Sequence, residues 1–123
     1  MKAFVTGATG FVGGHLVKAL RARGDAVTAL VRRPALAEKQ GWGEDVRLVR
    51  GDLGDEAALR QGSAGADVVY HVAGMISARN LDEYMACNRD GTANVLEGAR
   101  DGGVGRFVLV SSLAVAGPTV PGH

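Results

Sequence analysis

Apolar residues fall along this chain in short continuous runs, separated by stretches whose apolar positions recur every three or four residues. Residues 2–6 (Lys-Ala-Phe-Val-Thr) form such a run, broken at Gly7, and predict a buried strand. Across residues 11–23, Val12, Leu16, Val17 and Leu20 share one helical face, with Lys18, Arg21 and Arg23 opposite and Gly24 suited to the C-terminal cap. Residues 26–31 predict a second strand, 33–45 a loop with a helical turn in it, and 46–50 a third strand. Asp55 suits the N-cap of a short helix through Gln61. Residues 67–72 predict a fourth, strongly apolar strand. A long helix follows over 81–101, with Tyr84, Asn88, Thr92, Val95, Leu96 and Ala99 at three- to four-residue spacing, and a fifth strand over 106–110. The last residues, 117–123, read as a loop.

Strands that are apolar throughout and alternate with helices predict an α/β fold, a parallel sheet covered on both faces. Right-handed crossovers then favour a doubly wound sheet of order 3-2-1-4-5. Its ligand would bind at the carboxyl ends of strands one and four, where the order reverses.

The chain of 123 residues fits one domain, 1–123. Its formal charge of +1 offers no basic field for nucleic acid. A lone cysteine, Cys87, excludes an internal disulfide and a cysteine-based zinc site, so no metal is expected and a reducing cytoplasm fits. No apolar run approaches the ~18 residues of a membrane span, and the N-terminus is broken by glycine too early for a signal peptide. The 19 glycines are about twice ordinary usage, and they punctuate the elements rather than repeat.

The densest glycine cluster is Thr6-Gly7-Ala8-Thr9-Gly10-Phe11-Val12-Gly13, set between the first strand and the first helix. Gly7 permits the tight turn, Gly10 lets backbone approach a pyrophosphate, and Gly13 lets the helix lie close to the sheet. Free N–H groups and the positive helix end then face phosphate. The spacing is GxxGxxG, and without its strand-turn-helix setting it would read as a tight turn only. No Gly-Lys-Ser/Thr follows, which excludes a triphosphate-binding P-loop.

Arg32 and Arg33 stand at the end of strand two, where a dinucleotide fold meets the adenosine ribose. Either they are solvated loop arginines, or Arg32 offers a planar fork to a 2′-phosphate and favours NADP over NAD. Gly51-Asp52-Leu53 ends strand three; Asp52 suits an adenine amino group but equally a common turn. Val72-Ala73-Gly74 puts small residues where a flat ligand would lie against backbone, or marks an ordinary strand exit. His71 reads as a strand or core histidine rather than a base. Asn88, on the inward face of the long helix, is either a structural clamp or a support for the site. Ser111 and Ser112 follow strand five at the same edge of the sheet.

Taken in order, these motifs resemble the N-terminal half of an extended short-chain dehydrogenase/reductase, of the NAD(P)-dependent epimerase/dehydratase group. The resemblance runs through essentially the whole chain. It rests on Thr6–Gly13, on Gly51-Asp52-Leu53, on His71-Val72-Ala73-Gly74, on Asn88 with Gly91-Thr92, and on Val110-Ser111-Ser112-Leu113-Ala114-Val115-Ala116-Gly117. It implies a Rossmann-like sheet cut short before its sixth strand. The implied cofactor-binding residues are Gly7, Thr9, Gly10, Phe11, Val12, Gly13, Arg32, Asp52, Leu53, Val72, Ala73, Gly74, Cys87 and Asn88. Phe11 and Val12 would present backbone to the pyrophosphate and Asp52 and Leu53 would meet adenine. Ala73 and Gly74 would run along the ribose, Cys87 would face the cofactor and Asn88 would brace the site. Ser112 takes the catalytic position, holding a substrate oxygen while a tyrosine moves the proton and the nicotinamide moves hydride.

That tyrosine is where the chain departs from the pattern. The group carries Tyr-x-x-x-Lys some 25 residues or more beyond the serine, whereas Tyr70 and Tyr84 are followed four residues later by Gly74 and Asn88. The expectation is therefore the nucleotide-binding part of a longer enzyme, inactive by itself. The parent would be an oxidoreductase, epimerase or dehydratase acting on a hydroxyl or carbonyl compound, such as a sugar nucleotide or a steroid- or flavonoid-like alcohol. The competing reading is a non-catalytic NADP-binding sensor or scaffold; Ser112 favours the enzyme. The expected partners are a nicotinamide dinucleotide and a small-molecule substrate, with no nucleic acid and no membrane. Pairing of two copies through the long helix stays open, and Met75–Arg79 is the sole local hint of a substrate edge.

Overall fold

The five predicted strands pair side by side in a single parallel sheet of order β3-β2-β1-β4-β5. This is a computed structural model that describes residues 1–72 and 81–110, except for the side chains of residues 81 and 83–87. The elements run β1 (Lys2–Thr6), α1 (Phe11–Ala22), β2 (Ala26–Val31), α2 (Pro34–Glu38), β3 (Val46–Arg50), α3 (Glu56–Ser63), β4 (Val68–Val72), α4 (Leu81–Asp101) and β5 (Arg106–Val110). The parallel Rossmann-like order matches the expectation, and the elements differ from the predicted bounds by two residues or fewer.

β1 lies at the centre, with Phe4 in register with Thr28 of β2 and Val69 of β4. Alternation along it sends successive side chains to opposite faces. Ala3 and Val5 join Val17 and Leu20 of α1, together with Val27, Ala29, Ala37 and Trp42, in one core. Phe4 joins Leu30, Val49 and Val69 with Leu59 of α3 and Val95 and Ala99 of α4 in the other. Trp42 is only 5% exposed. It belongs to the segment read from sequence as loop, where an isolated tryptophan among polar residues carries no periodic signal.

The local ends follow the expected chemistry. Gly24, at φ +93°, closes α1: its N–H donates to the Arg21 carbonyl and the Asp25 N–H to the Leu20 carbonyl. Asp55 caps α3, accepting from the Ala58 N–H at 3.0 Å. Asp67 stands just outside β4 and accepts from the Lys2 N–H at 2.7 Å.

Two apolar positions depart from the predicted faces. Val12 is 39% exposed, because in the first turn of α1 it is Gly13 that is buried, against the backbone of Gly7 and Ala8 in the preceding turn. Leu96 is 46% exposed: the buried stripe of α4 runs through Gly91, Val95, Gly98 and Ala99. A Cβ at Gly98 would lie 3.1 Å from the Leu59 Cβ, so small residues set how closely α4 approaches α3. Hydrophobicity does not register such a face.

Candidate functional site

The carboxyl ends of β1, β2 and β3 carry most of the predicted residues along one edge of the sheet. The turn from β1 to α1 is fixed by two close approaches. Gly7 sits at φ +67°, and a Cβ there would lie 2.7 Å from the Val72 carbonyl oxygen of β4. A Cβ at Gly13 would fall 1.9 Å from the Gly7 carbonyl oxygen. Gly10 differs. Its φ is −78°, and a Cβ there would meet only the Gly7 oxygen, at 3.5 Å. Neither backbone conformation nor internal crowding among the described residues demands glycine at 10, so the missing side chain leaves the backbone there open to approach.

The start of α1 presents donors. The first helical bond of α1 runs from the Gly14 N–H to the Gly10 carbonyl at 2.8 Å, which leaves the amides of Phe11, Val12 and Gly13 without intrahelical acceptors. Gly10 supplies no side-chain cap, and the first turn has no acidic residue. The positive helix end therefore stays uncompensated, an arrangement suited to a diphosphate. Thr9 is held from outside the turn, its carbonyl accepting from Gln40 Nε2 at 3.3 Å. The sequence gives no local sign of Gln40, which comes from 31 residues away. Phe11 is 84% exposed and meets His15 edge-on, with ring centroids 4.7 Å apart.

Beside the turn, the ends of β2 and β3 enclose an open depression of about 350 Å³, lined by Arg32, Arg50, Gly51, Asp52 and Asp55. Among the described residues neither Arg32 nor Arg50 forms an ion pair. Asp52 keeps its loop in shape: its Oδ1 accepts from the Gly54 N–H at 2.8 Å. Leu53 is half-buried behind it. Arg33 is exposed and stands at the N-cap position of α2.

Behind the turn lies a buried polar chain. His71 Nδ1 and Thr6 Oγ1 are hydrogen-bonded at 2.6 Å, and His71 Nε2 and Thr92 Oγ1 at 3.1 Å. The imidazole thus ties the end of β1 to α4, as a core histidine. One turn before Thr92 on α4, Asn88 is half-buried. Ala73, Gly74 and Ser112 lie outside the described residues, as does the Cys87 side chain. No group of His, Cys, Asp and Glu suited to a metal occurs among the described residues, and no described helix is long and apolar enough to cross a membrane.

Burial holds the pKa of His71 below the ordinary histidine value of 6.5. The unfolded chain therefore takes up a proton that the folded chain refuses. The His71 contribution to stability is complete above the unfolded pKa, then declines as pH falls below it toward the lowered folded value. The expected slope is about 1.4 kcal/mol per pH unit in that window. Urea midpoints measured from pH 7.5 to 5.5 should fall for wild type. A His71→Gln variant, less stable at pH 7.5, should show a shallower fall; parallel curves would sink the assignment.

Comparison with known proteins places this geometry. The model of the NAD dependent epimerase/dehydratase family matches residues 3–122. A ceramide reductase of Caulobacter vibrioides is 44% identical over 120 residues, covering 97% of this chain and 37% of that protein. A short-chain dehydrogenase/reductase superfamily protein from Agrobacterium tumefaciens, solved with bound NAD, superimposes with a TM-score of 0.78 at 34% identity. The match covers 100% of this chain and 36% of that one. The NADPH-dependent quinone oxidoreductase QOR2 of Escherichia coli, solved with NADPH, gives a TM-score of 0.71 at 27% identity, over 89% of this chain and 36% of that one. This chain thus spans about a third of the length of the relatives it matches. With its glycine turn, its parallel sheet and a match over nearly every residue, the chain belongs to the NAD dependent epimerase/dehydratase family.

Proposed function

We propose that this chain is the dinucleotide-binding part of a reductase, epimerase or dehydratase that prefers NADP and acts on a hydroxyl or carbonyl group. One observation carries the reading: the free amides at the start of α1 stand at the same carboxyl edge of the sheet as a depression lined by Arg32, which forms no ion pair among the described residues. In this reading the amides of Phe11, Val12 and Gly13 hold the pyrophosphate, with Gly7 and Thr9 shaping the turn. Arg32 takes the 2′-phosphate, while Asp52 and Leu53 meet adenine. Ala73 and Gly74 run along the ribose with Val72 beside them at the end of β4, Cys87 faces the cofactor and Asn88 braces the site. The bound dinucleotide supplies the nicotinamide that gives or takes hydride. Ser112 holds the substrate oxygen by its hydroxyl, and the proton moves through a tyrosine outside this sequence. Relatives named as reductases, among them a ceramide reductase and a ketoreductase, support reduction as the parent reaction.

Titration with adenosine 2′,5′-bisphosphate against 5′-AMP tests the cofactor choice. The bisphosphate should bind about tenfold more tightly, the worth of one charge-assisted contact at an exposed arginine. Arg32→Asp should abolish that preference and leave 5′-AMP bound. Equal affinities in wild type would remove the NADP preference while keeping the nucleotide site.

A further inference from the structure

We propose that Asn94 is a positioning residue for the adenine end of this site, acting on Asp52 through a single peptide group. The proposal rests on the nucleotide-site reading above. Asn94 is half-buried on α4, and its Nδ2 donates to the Leu53 carbonyl at 2.8 Å, across 41 residues of sequence. The same peptide unit carries the Gly54 N–H, which donates to Asp52 Oδ1, also at 2.8 Å. One rigid plane therefore has Asn94 at its oxygen end and the Asp52 carboxylate at its nitrogen end.

Among the described residues no other hydrogen bond reaches that peptide group. Leu53 precedes α3, whose first helical acceptor is the Asp55 carbonyl, bonded by the Leu59 N–H. The Leu53 oxygen is thus outside the helical ladder. The Leu53 side chain is pressed on the same helix, where a Cβ at Gly91 would lie 2.8 Å from its Cδ1. α4 holds Leu53 by both backbone and side chain. If Asn94 ceased to donate, rotation of the 53–54 peptide would release the Gly54 N–H from Asp52. The carboxylate that lines the depression would then lose its fixed direction. A directed acceptor is what the exocyclic amino group of adenine requires, and hydrogen bonds in series also polarise one another.

The test compares 5′-AMP with purine riboside 5′-monophosphate, which lacks that amino group, in wild type and in Asn94→Leu. Leucine keeps the branched shape, favours the helix more than asparagine does, and removes the donor. Wild type should bind 5′-AMP about tenfold more tightly than the amino-free analogue, the scale of a hydrogen bond to a charged group. Asn94→Leu should bring 5′-AMP down to the level of the analogue and leave analogue affinity unchanged. Should the leucine variant not fold, Asn94→Ala is read with the same two ligands. Equal losses for both ligands would make Asn94 a merely structural residue and overturn the proposal. Unchanged 5′-AMP affinity would overturn it as well, and so would a wild type that does not distinguish the ligands, though the nucleotide site would then stand. A wild type that binds neither ligand would sink the nucleotide-site reading, and the positioning role with it.

Discussion

Gly13→Ala should lower the melting temperature by about 10 °C, the equivalent of roughly 2–3 kcal/mol in a domain of this size, and should abolish binding of adenine nucleotides. Helix propensity predicts the opposite sign: alanine in place of a helical glycine ordinarily adds up to about 1 kcal/mol. The geometry decides between them. The new methyl would lie 1.9 Å from the Gly7 carbonyl oxygen, 2.6 Å from the Gly7 carbonyl carbon and 2.9 Å from the Ala8 Cα. All three are backbone atoms, so no side chain can swing aside. α1 cannot retreat without pulling Val17 and Leu20 from the core they share with Val5 and Ala29. Moving the turn instead displaces the amides that face the phosphates. Gly10→Ala is the control, because its methyl meets only one atom, at 3.5 Å. That variant should melt within about 1 kcal/mol of wild type, the usual range at an N-cap, while losing nucleotide affinity because a methyl would stand where phosphate approaches the backbone. Thermal melts and 5′-AMP titrations of both variants check the pair. A Gly13→Ala protein as stable as wild type would show that the turn yields where the structure holds it rigid.

The same contrast explains what could be read from the sequence. The strands over residues 2–6, 26–31, 46–50 and 106–110 announce themselves as apolar runs, and right-handed crossovers leave few ways to order them. The glycine turn was legible because its residues do their work within eight positions of one another. Trp42 was not, since its burial depends on how α2 and the segment after it fold back over β2 and β3, which nothing around it encodes. Apolar character marks Leu96 as inward, whereas the helix turns inward a face written partly in glycine. His71 could be placed in the core, but its partners Thr6 and Thr92 lie 65 and 21 residues away and meet it only through strand register and helix placement. The contacts of Gln40 with Thr9 and of Asn94 with Leu53 belong to the same class. Polar side chains that brace a site from another element leave no periodic signal.

Phe4→Ala should be the most destabilising single truncation among the described residues, costing about 3–5 kcal/mol, a large part of the 5–15 kcal/mol that holds a typical domain folded. Phe4 is fully buried at the middle of the central strand, enclosed by Leu30 and Val69 of the flanking strands and by Leu59, Val95 and Ala99 of the helices above. Its ring also occupies the space over Gly62 of α3, where a Cβ would fall 2.2 Å from Phe4 Cε1 and 2.3 Å from Cζ. A ring so enclosed cannot rotate away, so the glycine and the phenylalanine are two halves of one fitted contact. Gly62→Ala by itself should therefore also destabilise, against its helix propensity. In a Phe4→Leu background, where the aromatic edge is gone, the same Gly62→Ala change should cost much less. The double-mutant cycle in urea should return a coupling of about 1 kcal/mol or more. Additive losses would mean that ring and glycine do not touch in solution. A coupling of the expected sign would identify this contact as what sets the distance between α3 and the sheet. That distance matters to the site because α3 carries the Asp55 cap, and Asp55, with Asp52, lines the depression beside Arg32.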